Sequence, residues 1–459
     1  MLFSAGPTMW WVRTALVWVF LLAPASVPAQ LPGAQVWSFD LMDQPFELAL
    51  IGDVSNDGKS DLVAGTLSDE VKCVESARGR EWWYFPTNGT VWCVSGIGDV
   101  NDDAQEDVIA GTAANEIHCM SGGALYGVAP QIWKYTATSD VWSVCRLPDI
   151  TGDSRSEAIA GTGDDRVLCL NGATGALVWQ RAVGADVWRV RPIADLNGDK
   201  KADVIAGCAD NKVYAISGAT GSVIWSYATN GDVWDVCSFP DITGDGDGVP
   251  EVLAVSADNK VTLIKGSSKT TGSRIWALTS TSDFWAASPA GDVTGDGVCD
   301  AVAGGLDYNL YLLDGLKGTV LAKTPMGSAV IVTSGIADAS RDNVADVLAG
   351  EDSGRAGCLS GRDGALLWRF QFPATALARS YSRPPRFSGN GVRGVASIPD
   401  LDRDGIREAV FVSAGGGMTC LKGMVVKNNV GAHWLRHGAP DNRCLDINTG
   451  PKQGKSSEF

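Results

Sequence analysis

The chain has 459 residues, 45% of them hydrophobic, enough for a large core and more than one ordinary domain uses unless it repeats. Its formal charge of −16 excludes the basic surface that nucleic acid requires, and argues equally against charge-driven binding to anionic membranes. With 55 glycines and 17 tryptophans, and with Val, Ile and Thr clusters broken by Gly, Asp and Asn, the composition predicts short strands and tight turns.

In chain order, residues 1–29 read as an export signal. Arg13 is its only charge, TALVWVFLLA (14–23) is an apolar stretch too short for a membrane span, and VPAQ (27–30) offers cleavage after Ala29. No cysteine stands there to accept a lipid. The expectation is a secreted or periplasmic protein with no membrane insertion, most simply a monomer. Residues 30–425 then carry a repeat, and residues 426–459 form a tail outside it.

Eight acidic turns begin at Asp53, Asp99, Asp149, Asp195, Asp241, Asp292, Asp338 and Asp400. Most lie 46 residues apart; three intervals are 50, 51 and 62, as loop insertions produce. Such a period marks a propeller blade or a solenoid unit. One repeat, residues 141–183, reads as four strands: VWSVCRLP, EAIAGTG, RVLCLNG and ALVWQRAV. The last repeat supplies only three, in VASIPDL, EAVFVSAG and MTCLKG. The missing fourth is AQVWSFDL (34–41), where Trp37 takes the place of Trp179 and Trp225. Joined, the two ends close a ring of seven full blades and one composite blade, and no sheet edge is left open.

A nine-residue turn can offer calcium its oxygens from positions 1, 3, 5, 7 (through the backbone) and 9. The side-chain sets of the first four turns are Asp53, Ser55, Asp57, Asp61; Asp99, Asn101, Asp103, Asp107; Asp149, Thr151, Asp153, Glu157; and Asp195, Asn197, Asp199, Asp203. Those of the last four are Asp241, Thr243, Asp245, Glu251; Asp292, Thr294, Asp296, Asp300; Asp338, Ser340, Asp342, Asp346; and Asp400, Asp402, Asp404, Glu408. Glu251 comes two residues late because GDGDG lengthens its turn. Asp, Asn and Gly also suit turns for their own hydrogen bonding, yet that does not explain three mutually repelling acids recurring at positions 1, 5 and 9. The expectation is structural Ca2+ in up to eight sites. The first, sixth and eighth turns come nearest the EF-hand-like pattern, whereas Ala104, Ser154, Lys200 and Asn343 replace Gly at position 6 elsewhere.

Seven residues before the turns lie Trp92, Trp142, Trp188, Trp234 and Trp285, with Asp140, Asp186, Asp232 and Asp283 two residues earlier in four blades. These positions start the innermost strand, near the channel, on the face opposite the acidic turns. The plainer account packs each Trp between blades. The sharper one makes a ligand site, lopsided because Phe46, Ile331 and Arg393 hold the equivalent places in the first, seventh and eighth blades. Trp37, Trp83, Trp133, Trp179, Trp225, Trp276 and Trp368 fall on outer strands as blade-docking residues. Cys73, Cys119, Cys169, Cys358 and Cys420 share one strand position, which predicts small buried hydrophobes; pairing with Cys93, Cys145 or Cys237 is the alternative.

The segments GDVSNDGKSDLVAGT (52–66), PDITGDSRSEAIAGT (148–162) and ADLNGDKKADVIAGC (194–208) resemble FG-GAP repeats of integrin-type propellers. RVLCLNGATGALVW (166–179) and KVYAISGATGSVIW (212–225) look like the repeat of quinoprotein-like propellers. The first resemblance implies calcium-binding turns and usually seven blades, the second a ring of eight. The all-β reading is therefore a closed, eight-bladed propeller, with seven as the alternative. No HExxH, GxSxG or CxxC occurs, and GPKQGKS (450–456) is one residue short of a P-loop. Two functions follow as expectations: a non-enzymatic calcium-stabilised module that binds protein or carbohydrate, or a calcium-dependent polysaccharide lyase-like enzyme served by the basic loop at 379–394.

Overall fold

A computed structural model of the protein describes residues 34–242, 247–374 and 390–423. Residues 1–29, expected to be an export signal, together with Thr243, Asp245, the basic loop up to residue 389 and the tail from residue 424, lie outside the described residues.

Every repeat forms a four-stranded antiparallel meander, and eight such sheets build the ring. The innermost strands of blades 1 to 8 are Pro45–Ile51, Val91–Gly98, Val141–Leu147, Val187–Ile193, Val233–Phe239, Phe284–Gly291, Val330–Ile336 and Val392–Ile398. Each packs beside that of the next blade, and the eighth packs beside the first. Closure comes from the composite blade, in which Gln35–Asp40 pairs antiparallel with Gly417–Leu421 and places Trp37 opposite Cys420. The ring has eight blades, so the seven-bladed alternative is set aside.

The second strand of each blade is covered on both faces, which explains its unbroken apolar character: all six residues of Asp61–Thr66, Glu157–Thr162 and Asp203–Cys208 are buried. Glycine within these strands serves close approach between blades. A Cβ added at Gly65 would meet Val91 Cγ1 at 2.6 Å, and one at Gly161 would meet Val187 Cγ1 at 2.6 Å.

Outer-strand tryptophans join neighbouring blades through a relay. The Trp179 Nε1–H donates to the Gly218 carbonyl at 2.7 Å, and the Gly218 N–H donates to Asp203 at 2.9 Å. The same relay runs from Trp37 through Ser76 to Asp61, from Trp83 through Gly122 to Asp107, from Trp225 through Gly266 to Glu251, and from Trp276 through Gly315 to Asp300. The position-9 acid thus holds the peptide on which the neighbouring indole docks. Two blades depart from it. In blade 6 Ala322 occupies the indole's slot and the Thr324 hydroxyl donates to the Gly364 carbonyl at 2.7 Å instead. In blade 7 the Trp368 Nε1–H is buried without a hydrogen-bond partner among the described residues. All ten described cysteines are free, Cys237 alone being half-buried, so the disulfide alternative is not realised among them.

Candidate functional site

The two mouths of the channel carry different chemistry. At one mouth stand the acidic turns. Their position-9 acids, Asp61, Asp107, Glu157, Asp203, Glu251, Asp300, Asp346 and Glu408, are all buried. Burial raises the pKa of seven of them, upward in Glu157 and Asp300, to about 6 in Asp61, Asp203 and Asp346 and to about 7 in Asp107 and Glu408, while backbone N–H groups pull the other way. Asp61, for example, accepts from the backbone of Val54 at 3.0 Å, Ser55 at 2.8 Å and Ser76 at 3.1 Å.

Position 1 acids fold the turn by accepting from position 6: Asp53 from Gly58 at 2.7 Å, Asp99 from Ala104 at 2.9 Å and Asp195 from Lys200 at 2.6 Å. This forces position 6 into the left-handed region whatever residue stands there. Gly58 has φ +87°, but Ala104, Ser154, Lys200 and Asn343 have φ between +66° and +68°.

Two turns bring three carboxylates close enough together to hold a cation. Oxygens of Asp149, Asp153 and Glu157, and of Asp400, Asp402 and Glu408, lie within 4.8 Å of one another. In both, position 9 is Glu, whose extra methylene carries the carboxylate further into the turn than an Asp reaches. The sequence ranked the first, sixth and eighth turns highest; the geometry favours the third and eighth among the described residues. At the eighth, Lys422 already pairs with Asp402. Cationic side chains from a neighbouring blade also reach these turns, as Arg155 reaches Asp102 and Lys59 reaches the Asp400 carbonyl.

At the other mouth the inner aromatics join into one arc. Ring centroids lie 4.6 Å apart for Phe46 and Trp92, 5.3 Å for Trp92 and Trp142, 5.5 Å for Trp142 and Trp188, 5.9 Å for Trp188 and Trp234, and 5.1 Å for Trp234 and Trp285. The rings are half-buried, each packed on its neighbours and in part open to solvent. The rings thus pack between blades, as the plainer account has it, and also leave a surface open at the mouth. Asp140, Asp186, Asp232 and Asp283 flank the arc, half-buried. Burial raises the pKa of Asp232 and Asp283. The arc stops at blade 7, where Ile331 is buried, and at Arg393 in blade 8.

One residue below the arc, a charge cluster crosses the channel. Arg189 of blade 4 donates to Glu47 of blade 1 at 2.9 Å, and its Nε lies 3.1 Å from Asp235 of blade 5. Arg191 adds a contact to Glu47 at 3.8 Å. Burial works against the Arg189 charge, but Asp235 and Glu47 outweigh it and hold its pKa above the ordinary value. Sequence reading missed this cluster. Its signal was the residue after each inner aromatic or its equivalent in blades 7 and 8, charged in blades 1, 4 and 5 and uncharged in the other five. His118, the only histidine among the described residues, is buried in blade 2 between Glu116 and Gln131.

Comparison with known proteins gives the repeat its relatives. A PQQ-type family model described as outer membrane protein assembly factor BamB matches residues 104–300 and 182–368, which include both quinoprotein-like segments. Among solved structures the chain is similar to Sqt1 of Saccharomyces cerevisiae at 13% identity, covering 86% of this chain and 100% of that one with a TM-score of 0.67. It is similar to BamB from Moraxella catarrhalis at 16% identity, covering 87% and 99% with a TM-score of 0.55. Chaetomium thermophilum Sqt1 bound to the N-terminus of the ribosomal protein L10 follows at 12% identity, 84% and 99% coverage and a TM-score of 0.63. No curated protein matches the chain. Identities this low show the fold and not the function.

Proposed function

The chain belongs to the family described as outer membrane protein assembly factor BamB, and from that premise we propose that it is an exported, non-enzymatic scaffold whose aromatic arc docks a protein partner. One observation carries this reading. Six aromatic side chains on successive blades touch in an unbroken line around one channel mouth and stay partly open to solvent. Contiguous exposed aromatic surface is the signature of an interaction site, because solvent gains from its burial and Trp loses little rotamer entropy. A neighbour of the same fold, Sqt1, is seen holding the N-terminus of a ribosomal protein.

Calcium belongs to the reading as a structural ion, in keeping with the FG-GAP likeness. Asp149, Asp153 and Glu157 offer oxygen donors only, the set a hard divalent cation takes, and Asp400, Asp402 and Glu408 do so once Lys422 withdraws. A bound ion would supply positive charge to acids that burial now disfavours. Export rests on the residues around Arg13 and Ala29 and predicts a mature protein that begins at Gln30.

The test places a photo-cross-linking amino acid at Trp234 in the arc or at Asp292 in the opposite mouth. A protein adduct, identified by mass spectrometry and reconstituted from purified components, is expected from Trp234 only. Adducts from Asp292 alone would overturn the assignment. Glycan binding at the arc with eliminase turnover would replace it with the lyase-like reading.

A further inference from the structure

Resting on the arc as a protein-docking surface, we propose that the segment it recognises is an extended chain with arginines at alternate positions, laid along blades 2 to 6. The first ground is spacing. Indole centroids of successive blades lie 5.1 to 5.9 Å apart. Same-side residues of an extended strand repeat every roughly 6.6 Å, so alternate side chains step along the arc nearly one blade at a time. A helix would present its near neighbours on a narrower, straighter stripe.

Charge is the second ground. Each of Trp142, Trp188, Trp234 and Trp285 has an aspartate two residues before it. Four acids of the hairpins on this same face are already matched by bases: Asp164 by Arg166, Asp210 by Lys212, Asp258 by Lys260 and Asp307 by Lys323. Asp232 and Asp283 form no ion pair among the described residues, although burial already disfavours their charge. A cation arriving beside them meets carboxylates without a basic partner next to aromatic rings. Guanidinium suits that pairing best, because its plane stacks on an indole while its N–H fork engages a carboxylate. The track ends at blade 7, where Ile331 replaces the indole and is buried.

The probes are a synthetic peptide with arginine at alternate positions, the same peptide with glutamate instead, and a neutral oligosaccharide, each read by intrinsic tryptophan fluorescence. The arginine peptide is expected to bind alone. Its affinity should fall about tenfold in Asp232→Asn/Asp283→Asn, which preserves shape, and further with added salt. Trp188→Ala/Trp234→Ala should lose about tenfold or more, with unchanged circular dichroism showing that the ring still folds. Binding of the glutamate peptide or the oligosaccharide at the arc, or arginine-peptide binding indifferent to both variant pairs, overturns the inference. Cross-linking from Trp234 separates this from the parent reading: a captured partner whose cross-linked segment lacks basic residues refutes the arginine track and leaves protein docking intact.

Discussion

The two mouths of the channel differ in how far their chemistry repeats. The acidic mouth is written eight times round the ring, and every position-9 acid is buried. The aromatic mouth runs only from Phe46 to Trp285 and breaks at Ile331 and Arg393. Folding a symmetric ring needs the same seam at every junction, so a feature repeated all the way round serves the fold. A partner approaches from one side, so a feature kept on one arc fits the recognition role proposed for it. The relay from Trp179 through Gly218 to Asp203 makes the first half of that statement concrete, since one acid supports both its own turn and the docking of the next blade.

The sharpest way to break this contrast is to remove a seam acid. Asp203→Ala leaves the N–H groups of Leu196 and Gly218 buried without an acceptor and should cost about 2–4 kcal/mol by chemical denaturation. Trp234→Ala at the arc, a half-buried site, should cost clearly less in the same experiment while weakening binding of the partner. Equal costs at the two mouths would erase the distinction.

Next in size is the joint effect of pH and calcium. Burial holds Asp61, Asp203 and Asp346 at about 6 and Asp107 and Glu408 at about 7, above carboxylates of an unfolded chain. Between those values the folded state binds protons that the unfolded chain releases. Without metal, stability is therefore fullest below the unfolded pKa of about 4 and declines as pH rises through 6 to 7. A Tm in EDTA that falls between pH 5 and pH 8 is the expected result; a flat or rising one refutes it. Calcium at ten times its dissociation constant should restore roughly 1.4 kcal/mol per occupied turn at pH 8 and less at pH 5, where protons compete. Glu157→Gln should remove most of that gain, and native mass spectrometry counts the ions directly.

The smallest effect lies at position 6. Lys200 and Ala104 sit at φ +68° and +66°, where glycine is at ease and a Cβ is not. Lys200→Gly and Ala104→Gly should each stabilise by about 0.5–1 kcal/mol, read as a rise in the denaturation midpoint.

Much of the ring was legible beforehand because it is local and repeated. The period of 46 residues, the four strand-like runs per unit and the orphan strand around Trp37 specify eight blades and their closure without any distance being known. The acids at positions 1, 5 and 9 were equally plain, but which turns bring three carboxylates within 4.8 Å of one another was not. Gly at position 6 favoured the first, sixth and eighth turns; the reach of Glu157 and Glu408 favoured the third and eighth. Arg189 and Glu47, 142 residues apart, were invisible as a pair, since nothing local links blade 4 to blade 1.

By itself, then, the order of residues determined the blade, the number of blades and the seam that joins them, because strand pairing and turn chemistry act over a few neighbouring residues and repetition multiplies them. Only the closed ring decided that six separate aromatics become one surface and that charges from three blades meet in the channel. Those contacts exist through curvature, which brings distant strands to a common axis and is a property of the whole circle.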